Sequence, residues 1–332
     1  MPPHSPREAV LAATAAARAA RADAIVTLGG GSLTDGAKVV RIALAEGVKD
    51  SAGLDACRYE PGQALGTATL MPQVTIPTTL SAGEFSFFAG STNAARMAEA
   101  GKNAKEVFIY ASALPHTIIL DPELARHTPP WLLLSTGIRS VDHAVEALCS
   151  AQGNPFSDTL LQGALKLLVG GLRRAKADPA DPRALLDCQV GIWQVVQGCQ
   201  SGPKMGASHA IGHILGGGFN VPHGYTSCVA LPAVLAWNAE HAQALARQQL
   251  VREAFEELEA REGAAPSRRT AAGHVRALVQ ELGLPGRLGE VGIGREKLQE
   301  IAERTMDDRL VDTNPRPISG WADVKAILEA AM

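Results

Sequence analysis

Four histidines have a spacing that could bring their imidazoles together. His209 and His213 are four residues apart, so on a helix they would stack on one face. His223 follows ten residues later, after Gly216–Gly218, a glycine run that predicts a break in the helix. His143 lies upstream, in a third segment. Imidazoles that converge from three segments could bind a metal or move protons, although a single helical histidine is more often satisfied by a backbone carbonyl.

Two turns rich in glycine or hydroxyl groups could hold the phosphates of a nucleotide. The first reads LGGGSLTDGAK from Leu28, and the second reads IPTTLSAGE from Ile76. Glycines let the backbone approach an anion, and the free N–H groups of a helix N-terminus hydrogen-bond it. The first turn is neither GxGxxG nor a Walker loop. For the second turn, an ordinary helix cap is an equally good interpretation.

Short buried strands, each followed by a turn, are expected to position these two loops. We predict a helix at 32–46, capped by Ser32 or Thr34. The predicted strands are 24–28, 73–76 and 117–120. Buried strands separated by helices indicate a parallel α/β sheet, and ligands bind such sheets at the carboxyl ends of the strands, where both turns lie.

The pattern changes once, near Thr128, and the helical period dominates after it. One long helix is expected at 227–261. The sequence therefore predicts an α/β domain at 1–128 and an all-helical domain at 129–332.

The composition is that of a globular enzyme. The chain has 332 residues, enough for two domains with large cores. A net charge of −3 and an aromatic content of 4% argue against a nucleic-acid partner. Five cysteines without CxxC spacing indicate reduced thiols. Because no long apolar run and no signal peptide are evident, we expect a cytoplasmic protein without a membrane partner.

Taken together, the motifs resemble the iron-containing alcohol dehydrogenase and maleylacetate reductase family, which has the dehydroquinate synthase-like fold. The resemblance starts near residue 20 and rests, in order, on GGGSLTDGAK, PTTLSAGE, Asp121-Pro122, GIRSVDHAVE, SHAIGHILGGGFNVPHG and the late NPRP. It implies a Rossmann-like nucleotide domain, an all-α C-terminal domain and an active site in the cleft between them. It also implies NAD(P)-dependent hydride transfer at a carbonyl carbon of a small molecule, and a homodimer.

The resemblance assigns roles to individual residues. The residues that match its cofactor-binding positions are Gly29, Gly30, Gly31, Ser32, Thr78, Thr79, Ser81 and Lys105. The residues that match its metal ligands are His143, His209 and His223. His213 matches the histidine beside the nicotinamide that helps to relay protons.

Arg139 departs from the pattern of the metal-dependent members. Those members read Gly-x-Asp-Ala-x-x-His, with the aspartate as fourth ligand, and here that position is Arg139, four residues before His143. A guanidinium cannot ligate a cation and would repel one. It could instead polarise the substrate oxygen or bind a substrate carboxylate through two hydrogen bonds. The structural alternative is an ion pair with Asp142 or Glu146.

A second departure is length, because only 27 residues precede Leu28. The resemblance implies a further strand–helix–strand region at that end, so we expect either a late start codon or a truncated form. A sheet without those strands would have a bare edge. The acidic residue that would distinguish NAD from NADP is also missing.

These observations predict an NAD(P)H-dependent oxidoreductase of the maleylacetate reductase type. Hydride would go to a ketone or enone carbon of a small, carboxylate-bearing substrate. Arg139, with His143, His209 and His223, would stabilise the developing negative charge, His213 would relay the proton, and a metal is expected to be absent. The alternatives are a metal-dependent (Fe or Zn) alcohol dehydrogenase that uses the three histidines as ligands, a dehydroquinate synthase-like lyase, and a catalytically degenerate homologue.

Overall fold

The computed structural model describes residues 1–93, 105–265 and 267–332. It divides into two compact units, Met1–Ala125 and Arg126–Met332. The first unit combines strands and helices, and the second is helical. The predicted fold class is therefore confirmed.

The first unit contains a small parallel sheet. The strands of the unit are β1 (Ile25–Gly29), β2 (Gln73–Pro77), β3 (Phe88–Thr92), β4 (Lys105–Ile109) and β5 (Thr117–Ile118), and the parallel sheet consists of β1, β2 and β5. The order β1-β2-β5 is parallel throughout, with Ile25 opposite Gln73. In the described part of the chain β1 pairs with β2 alone.

An antiparallel pair, β3 with β4, was not predicted. Its first strand, Phe-Ala-Gly-Ser-Thr, has glycine at its centre, and glycine weakens the periodic signal of a strand. The structure shows why Gly90 is small. A Cβ atom at Gly90 would lie 2.8 Å from Cε of Lys105, whose side chain crosses the strand at that point.

The first unit also contains helices, of which the second packs on β1 and β2. They are α1 (Arg7–Ala19), α2 (Gly31–Ala45), α3 (Ser51–Cys57) and α4 (Pro122–Ala125). Helix α2 begins immediately after β1, with Gly30 as its N-cap residue and no side-chain cap. The expected cap by Ser32 or Thr34 is wrong, because both residues lie inside the first turn. The core of this unit includes Val39, Ile42 and Phe108.

The second unit is built from helices. They are α5 (Pro130–Cys149), α6 (Pro155–Ala177), α7 (Pro182–Gln200), α8 (Ala207–Phe219), α9 (His223–Asn238), α10 (Ala242–Arg261), α11 (Ala271–Glu281), α12 (Leu298–Thr305) and α13 (Trp321–Ala330). Buried apolar residues of α8, α9, α12 and α13 form one core, to which Leu215, Val229, Ile301 and Ile327 contribute. None of the described helices combines the length and the apolar character that a membrane span requires.

Two expectations about helix ends are wrong. Helix α8 runs through Gly216–Gly218 and ends at Phe219, and its C-cap residue Asn220 adopts the left-handed conformation with φ 55°. Asparagine tolerates that conformation at a helix end. The glycine run does not break the helix, and at Gly218 a Cβ would lie 2.8 Å from Nη2 at the end of the Arg304 side chain. The expected helix 227–261 is two helices, α9 and α10, with His241 extended between them.

Gly224 lets α9 approach α5 closely. A Cβ atom at this position would lie 2.5 Å from the carbonyl carbon of Ser135, a backbone atom that has little freedom to move. The close approach fixes the position of the first turn of α9, which carries His223, against the helix that carries Arg139 and His143.

We expect Gly224→Ala to destabilise the protein, although alanine is the better helix former. Overpacking of this kind costs about 1–3 kcal/mol, more than the ~1 kcal/mol by which alanine favours a helix. Gly163→Ala on α6 is the matched control, because a Cβ there meets only Oε1 of Gln194, at 3.5 Å. Urea unfolding followed by circular dichroism compares the two variants. Equal stability of both would contradict the close contact between α5 and α9.

Candidate active site

One face of α5 carries four ionisable residues. Arg139, Asp142, His143 and Glu146 are spaced three and four residues apart, so they lie on the same side of the helix. Arg139 is 5% exposed, Asp142 0% and Glu146 6%. Charged groups that are this well buried need partners, and helices α8 and α9 provide them.

Asp142 is the acceptor in a buried network. Its Oδ2 accepts hydrogen bonds from the hydroxyls of Ser208 on α8 (3.0 Å) and Ser227 on α9 (2.6 Å). Nη1 of Arg139 lies 3.4 Å from the same oxygen and donates to Oγ of Ser227 at 3.1 Å. Burial raises the pKa of Asp142 to about 6, against the opposing effects of Arg139 and the two hydroxyls. The ion pair given above as the structural alternative for Arg139 is thus present.

Glu146 binds the N-terminus of α8. Its Oε1 accepts from the backbone N–H of Ser208 at 2.9 Å. Its Oε2 accepts from the N–H groups of Gly206 and His209 and from Nδ1 of His209, at 3.0, 3.3 and 2.6 Å. Burial and the nearby Asp142 raise the pKa of Glu146 to about 8, while the three backbone N–H groups oppose that rise. One side chain therefore caps α8 and orients an imidazole on it.

His143 and His209 form one imidazole pair, with ring centroids 4.3 Å apart in an edge-to-face arrangement. Nδ1 of His143 lies 2.8 Å from the carbonyl oxygen of Arg139. Nδ1 of His143 is assigned the hydrogen because a carbonyl oxygen only accepts. Nδ1 of His209 is assigned it because Oε2 of Glu146 already accepts from two backbone N–H groups. Nε2 of each ring then carries a lone pair. Burial and then the charge of Arg139 lower the pKa of His143 to about 3 and that of His209 well below its usual value.

His213 and His223 form a second pair, stacked with their centroids 6.2 Å apart and their planes 7° apart. Nδ1 of His213 lies 2.7 Å from Oδ2 of Asp308. The charges of His213 and His223 also contribute to the lowered pKa of His209. The structure thus brings all four predicted histidines into one electrostatic neighbourhood.

The sequence prediction gives no catalytic or binding role to three residues of this neighbourhood. Asp142 and Glu146 appear there only as ion-pair partners of Arg139, although their spacing from His143 on one helix is a signal that could have found them. Asp308 gives no such signal, because it lies 95 residues from His213 along the chain.

The side chains do not fit a divalent cation. Asp142, Glu146 and His209 offer ligand atoms within 4.8 Å of one another. Oδ2 of Asp142, both oxygens of Glu146 and Nδ1 of His209 already make the hydrogen bonds described above, whereas Oδ1 of Asp142 has no partner among the described residues. The guanidinium of Arg139 lies beside this group. Against this, Nε2 of His209 is buried and has no hydrogen-bond partner among the described residues. A lone pair there could serve a metal, but a cation would be repelled by the fixed positive charge of Arg139.

The predicted cofactor loops of the first unit contact each other. A Cβ at Gly30 would lie 2.9 Å from Cγ2 of Thr79, and one at Gly31 would lie 3.0 Å from Cβ of Ser81. The hydroxyls of Thr79 and Ser81 are 2.8 Å apart. The two glycines are therefore small because the second loop packs on them. The arrangement places two hydroxyls beside a helix N-terminus, which suits a pyrophosphate.

The first loop also makes backbone contacts within the unit. The N–H of Thr78 donates to the carbonyl oxygen of Gly29 at 3.0 Å. Oγ of Ser32 accepts from the N–H of His4 at 3.0 Å, so this hydroxyl is already engaged. Both contacts fix the turn between β1 and α2.

Lys105 lies close to α2, and Lys38 is a residue of α2. Nζ of Lys105 and Oδ2 of Asp35 would both lie 3.6 Å from a Cβ at Gly90, so Lys105 reaches the first turns of α2. Lys38 is fully buried, and its Nζ donates to the carbonyl oxygens of Gly83 (2.5 Å) and Phe88 (2.7 Å). Lys38 thereby connects α2 to the end of the second loop and to the start of β3, a role that the sequence does not reveal.

Comparison with known proteins places these features in a family. A family model described as "Iron-containing alcohol dehydrogenase" matches residues 1–122, and one described as "Fe-containing alcohol dehydrogenase family, C-terminal" matches residues 133–332. The chain belongs to the iron-containing alcohol dehydrogenase family. It is an NAD(P)-dependent oxidoreductase.

The similar proteins include dehydrogenases as well as a maleylacetate reductase. Dehydrogenase FUM7 of Gibberella moniliformis is 34% identical over 339 residues, which cover 94% of this chain and 78% of the relative. Maleylacetate reductase of Burkholderia cepacia is 29% identical over 330 residues, covering 99% and 79%. The crystal structure of an iron-containing alcohol dehydrogenase from Corynebacterium glutamicum has a TM-score of 0.78 at 26% identity, covering 100% of this chain and 79% of that one.

Replacement of Glu146 tests the buried network. Glu146→Leu leaves three backbone N–H groups and Nδ1 of His209 without an acceptor, and we expect a loss of about 3–5 kcal/mol in the free energy of unfolding. Glu146→Gln is the matched control, because its amide oxygen can still accept at the Oε2 position, so its loss should be smaller. Urea unfolding measures both. A leucine variant as stable as the parent would show that Glu146 does not hold α8.

Proposed function

We propose that this oxidoreductase is of the maleylacetate reductase type. It would reduce a ketone or enone carbon of a small substrate that bears a carboxylate, with NAD(P)H and without a metal. The observation that carries the proposal is the buried guanidinium of Arg139, next to His143 and His209, at the position where the resemblance places an anionic metal ligand. The Burkholderia maleylacetate reductase supports the same assignment.

The hydrogen bonds of Arg139 support a role in anion binding. Only Nη1 has partners in the network, Asp142 and Ser227, and Nε has none among the residues described. A guanidinium offers five N–H donors in a planar fork, which matches a carboxylate. The guanidinium of Arg139 therefore has donors that Asp142 and Ser227 do not use, and we propose that a substrate anion uses them.

Hydride addition to a carbonyl carbon places negative charge on the oxygen, and a preorganised cation stabilises that charge. Burial lowers the pKa of Arg139, while the charges of Asp142 and Glu146 oppose that shift. A guanidinium stays protonated in proteins, and its field is weakly screened where water is excluded. His213 is 35% exposed, so it can exchange a proton with substrate and solvent. Arg139 would therefore stabilise the transition state, and His213 would supply the proton.

Cofactor binding is assigned to the first unit. Gly30, Gly31, Thr79 and Ser81 would hold the pyrophosphate, and Lys105 would add a positive charge near α2. When bound, the nicotinamide supplies the hydride.

A metal-dependent alcohol dehydrogenase is the second candidate. The observation that favours it is Nε2 of His209, a buried lone pair without a partner in the described part of the chain. With His143 and His223 it would give three imidazoles, the number found in some zinc enzymes. The two candidates differ in what a chelator should do.

We expect chelation to leave activity unchanged. The protein is dialysed against EDTA, its metal content is measured by mass spectrometry, and NADH oxidation is followed on a panel of small oxo acids and ketones. The rate should be that of the untreated protein, because Arg139 supplies the positive charge. Loss of turnover that Fe²⁺ or Zn²⁺ restores would establish the second candidate instead.

Arg139→Lys separates recognition of the carboxylate from simple charge. Lysine keeps a cation beside Asp142 but loses the planar fork, and a lost charge-assisted contact costs about 1.5–3 kcal/mol, roughly 10- to 150-fold in kcat/KM. We expect that loss on a carboxylate-bearing ketone and a much smaller one on a neutral ketone of the same size. An equal loss on both substrates would contradict recognition of the carboxylate by Arg139.

A further inference from the structure

We propose that Asp308 is a positioning residue that fixes the tautomer of His213, so that Nε2 of His213 is the atom that exchanges a proton with the substrate. The proposal rests on the role given to His213 in the proposed function. It adds a residue that neither the motifs nor the family models assign.

Asp308 uses its two oxygens for two different tasks. Oδ1 accepts from the N–H of Leu310 at 2.9 Å and so caps the short turn Arg309–Val311. Oδ2 lies 2.7 Å from Nδ1 of His213. A cap alone needs one oxygen, so the second contact is an additional constraint. It joins α8 to the segment that follows α12.

The contact determines which nitrogen carries the hydrogen. Burial raises the pKa of Asp308, but the hydrogen bond and charge interaction with His213 outweigh that effect and keep this pKa below its usual value. An ionised carboxylate only accepts, so Nδ1 of His213 is the donor and Nε2 is left for chemistry. In carbonyl reduction, hydride adds to the carbon and protonated His213 gives its Nε2 proton to the oxygen. The Nδ1–H group of His213 stays hydrogen-bonded to Asp308 throughout.

His213 is better placed than His209 for that exchange. Its side chain is 35% exposed, whereas that of His209 is 3% exposed and bound to Glu146. Nδ1 of His143 is bound to the carbonyl oxygen of Arg139. The carboxylate of Asp308 therefore acts on the imidazole with the greater access to solvent.

Asp308→Asn separates positioning from capping. The asparagine oxygen still accepts from Leu310 N–H, since asparagine is a good cap. Its NH₂ group then faces Nδ1 of His213, which must become an acceptor, so the hydrogen moves to Nε2. We expect kcat for carbonyl reduction to fall by about 10²- to 10⁴-fold, the usual contribution of general acid–base catalysis, with an unchanged dissociation constant for NADH and an unchanged unfolding midpoint.

The spectroscopic test does not depend on activity. Two-dimensional NMR of ring nitrogens in protein labelled with ¹⁵N-histidine reports the tautomer, and the His213 signals are assigned by their absence from His213→Gln. The parent should show the Nδ1–H form and Asp308→Asn the Nε2–H form. Asp307→Asn is the matched control, because the neighbouring Asp307 is exposed and the substitution makes the same change in charge. It should keep the parental tautomer and kcat.

Several outcomes would overturn the proposal. An Nε2–H tautomer in the parent contradicts it without any variant, which covers the case of an Asp308→Asn protein that does not fold. Parental kcat in Asp308→Asn, or an equal loss in Asp307→Asn, also contradicts it and leaves the proposed function intact. If instead the parent reduces no carboxylate-bearing carbonyl compound while the tautomers behave as expected, the proposed function is wrong and the positioning by Asp308 stands.

Discussion

Two buried carboxylates on α5 hold the second unit together around its site. Burying an ionised carboxylate costs several kcal/mol unless hydrogen bonds and opposite charges replace its hydration. Asp142 and Glu146 obtain that replacement from the first turns of α8 and α9, through hydroxyls and backbone N–H groups. Both helices must therefore start where they do. The same contacts fix the positions of His209 and Ser227. Gly224 allows α9 to approach α5 as closely as these contacts require.

A common pattern follows for three of the imidazoles. Nδ1 of each contacts an acceptor on the protein: the carbonyl oxygen of Arg139 for His143, Glu146 for His209 and Asp308 for His213. Each of these rings is thus fixed in orientation and tautomer before any substrate arrives. Preorganised groups need no rearrangement when charge develops, which is the main way that polar sites accelerate reactions.

The sequence predicts what depends on local spacing. The parallel strands, the two turns at their carboxyl ends and the grouping of four histidines follow from periodicity, glycine placement and the motifs. The supporting carboxylates do not follow, because their partners are distant: 63 residues separate Glu146 from His209, and 95 separate His213 from Asp308. Gly216–Gly218 also misleads. A glycine run is typical of a break, but here it accommodates the side chains of Arg304 and His223 within a continuous helix.

Arg139 changes the electrostatics of a site whose histidines match a metal-binding pattern. Exchanging an aspartate for an arginine alters the local charge by two units, in surroundings that screen it poorly. Burial, and then the charge of Arg139, keep two of the imidazoles neutral, as the lowered pKa values of His143 and His209 indicate. Neutral imidazoles around a fixed guanidinium form a site for an anion, since the positive charge is already present and its hydrogen bonds are incomplete. A divalent cation would have to displace that charge, whereas a carboxylate-bearing substrate would neutralise it.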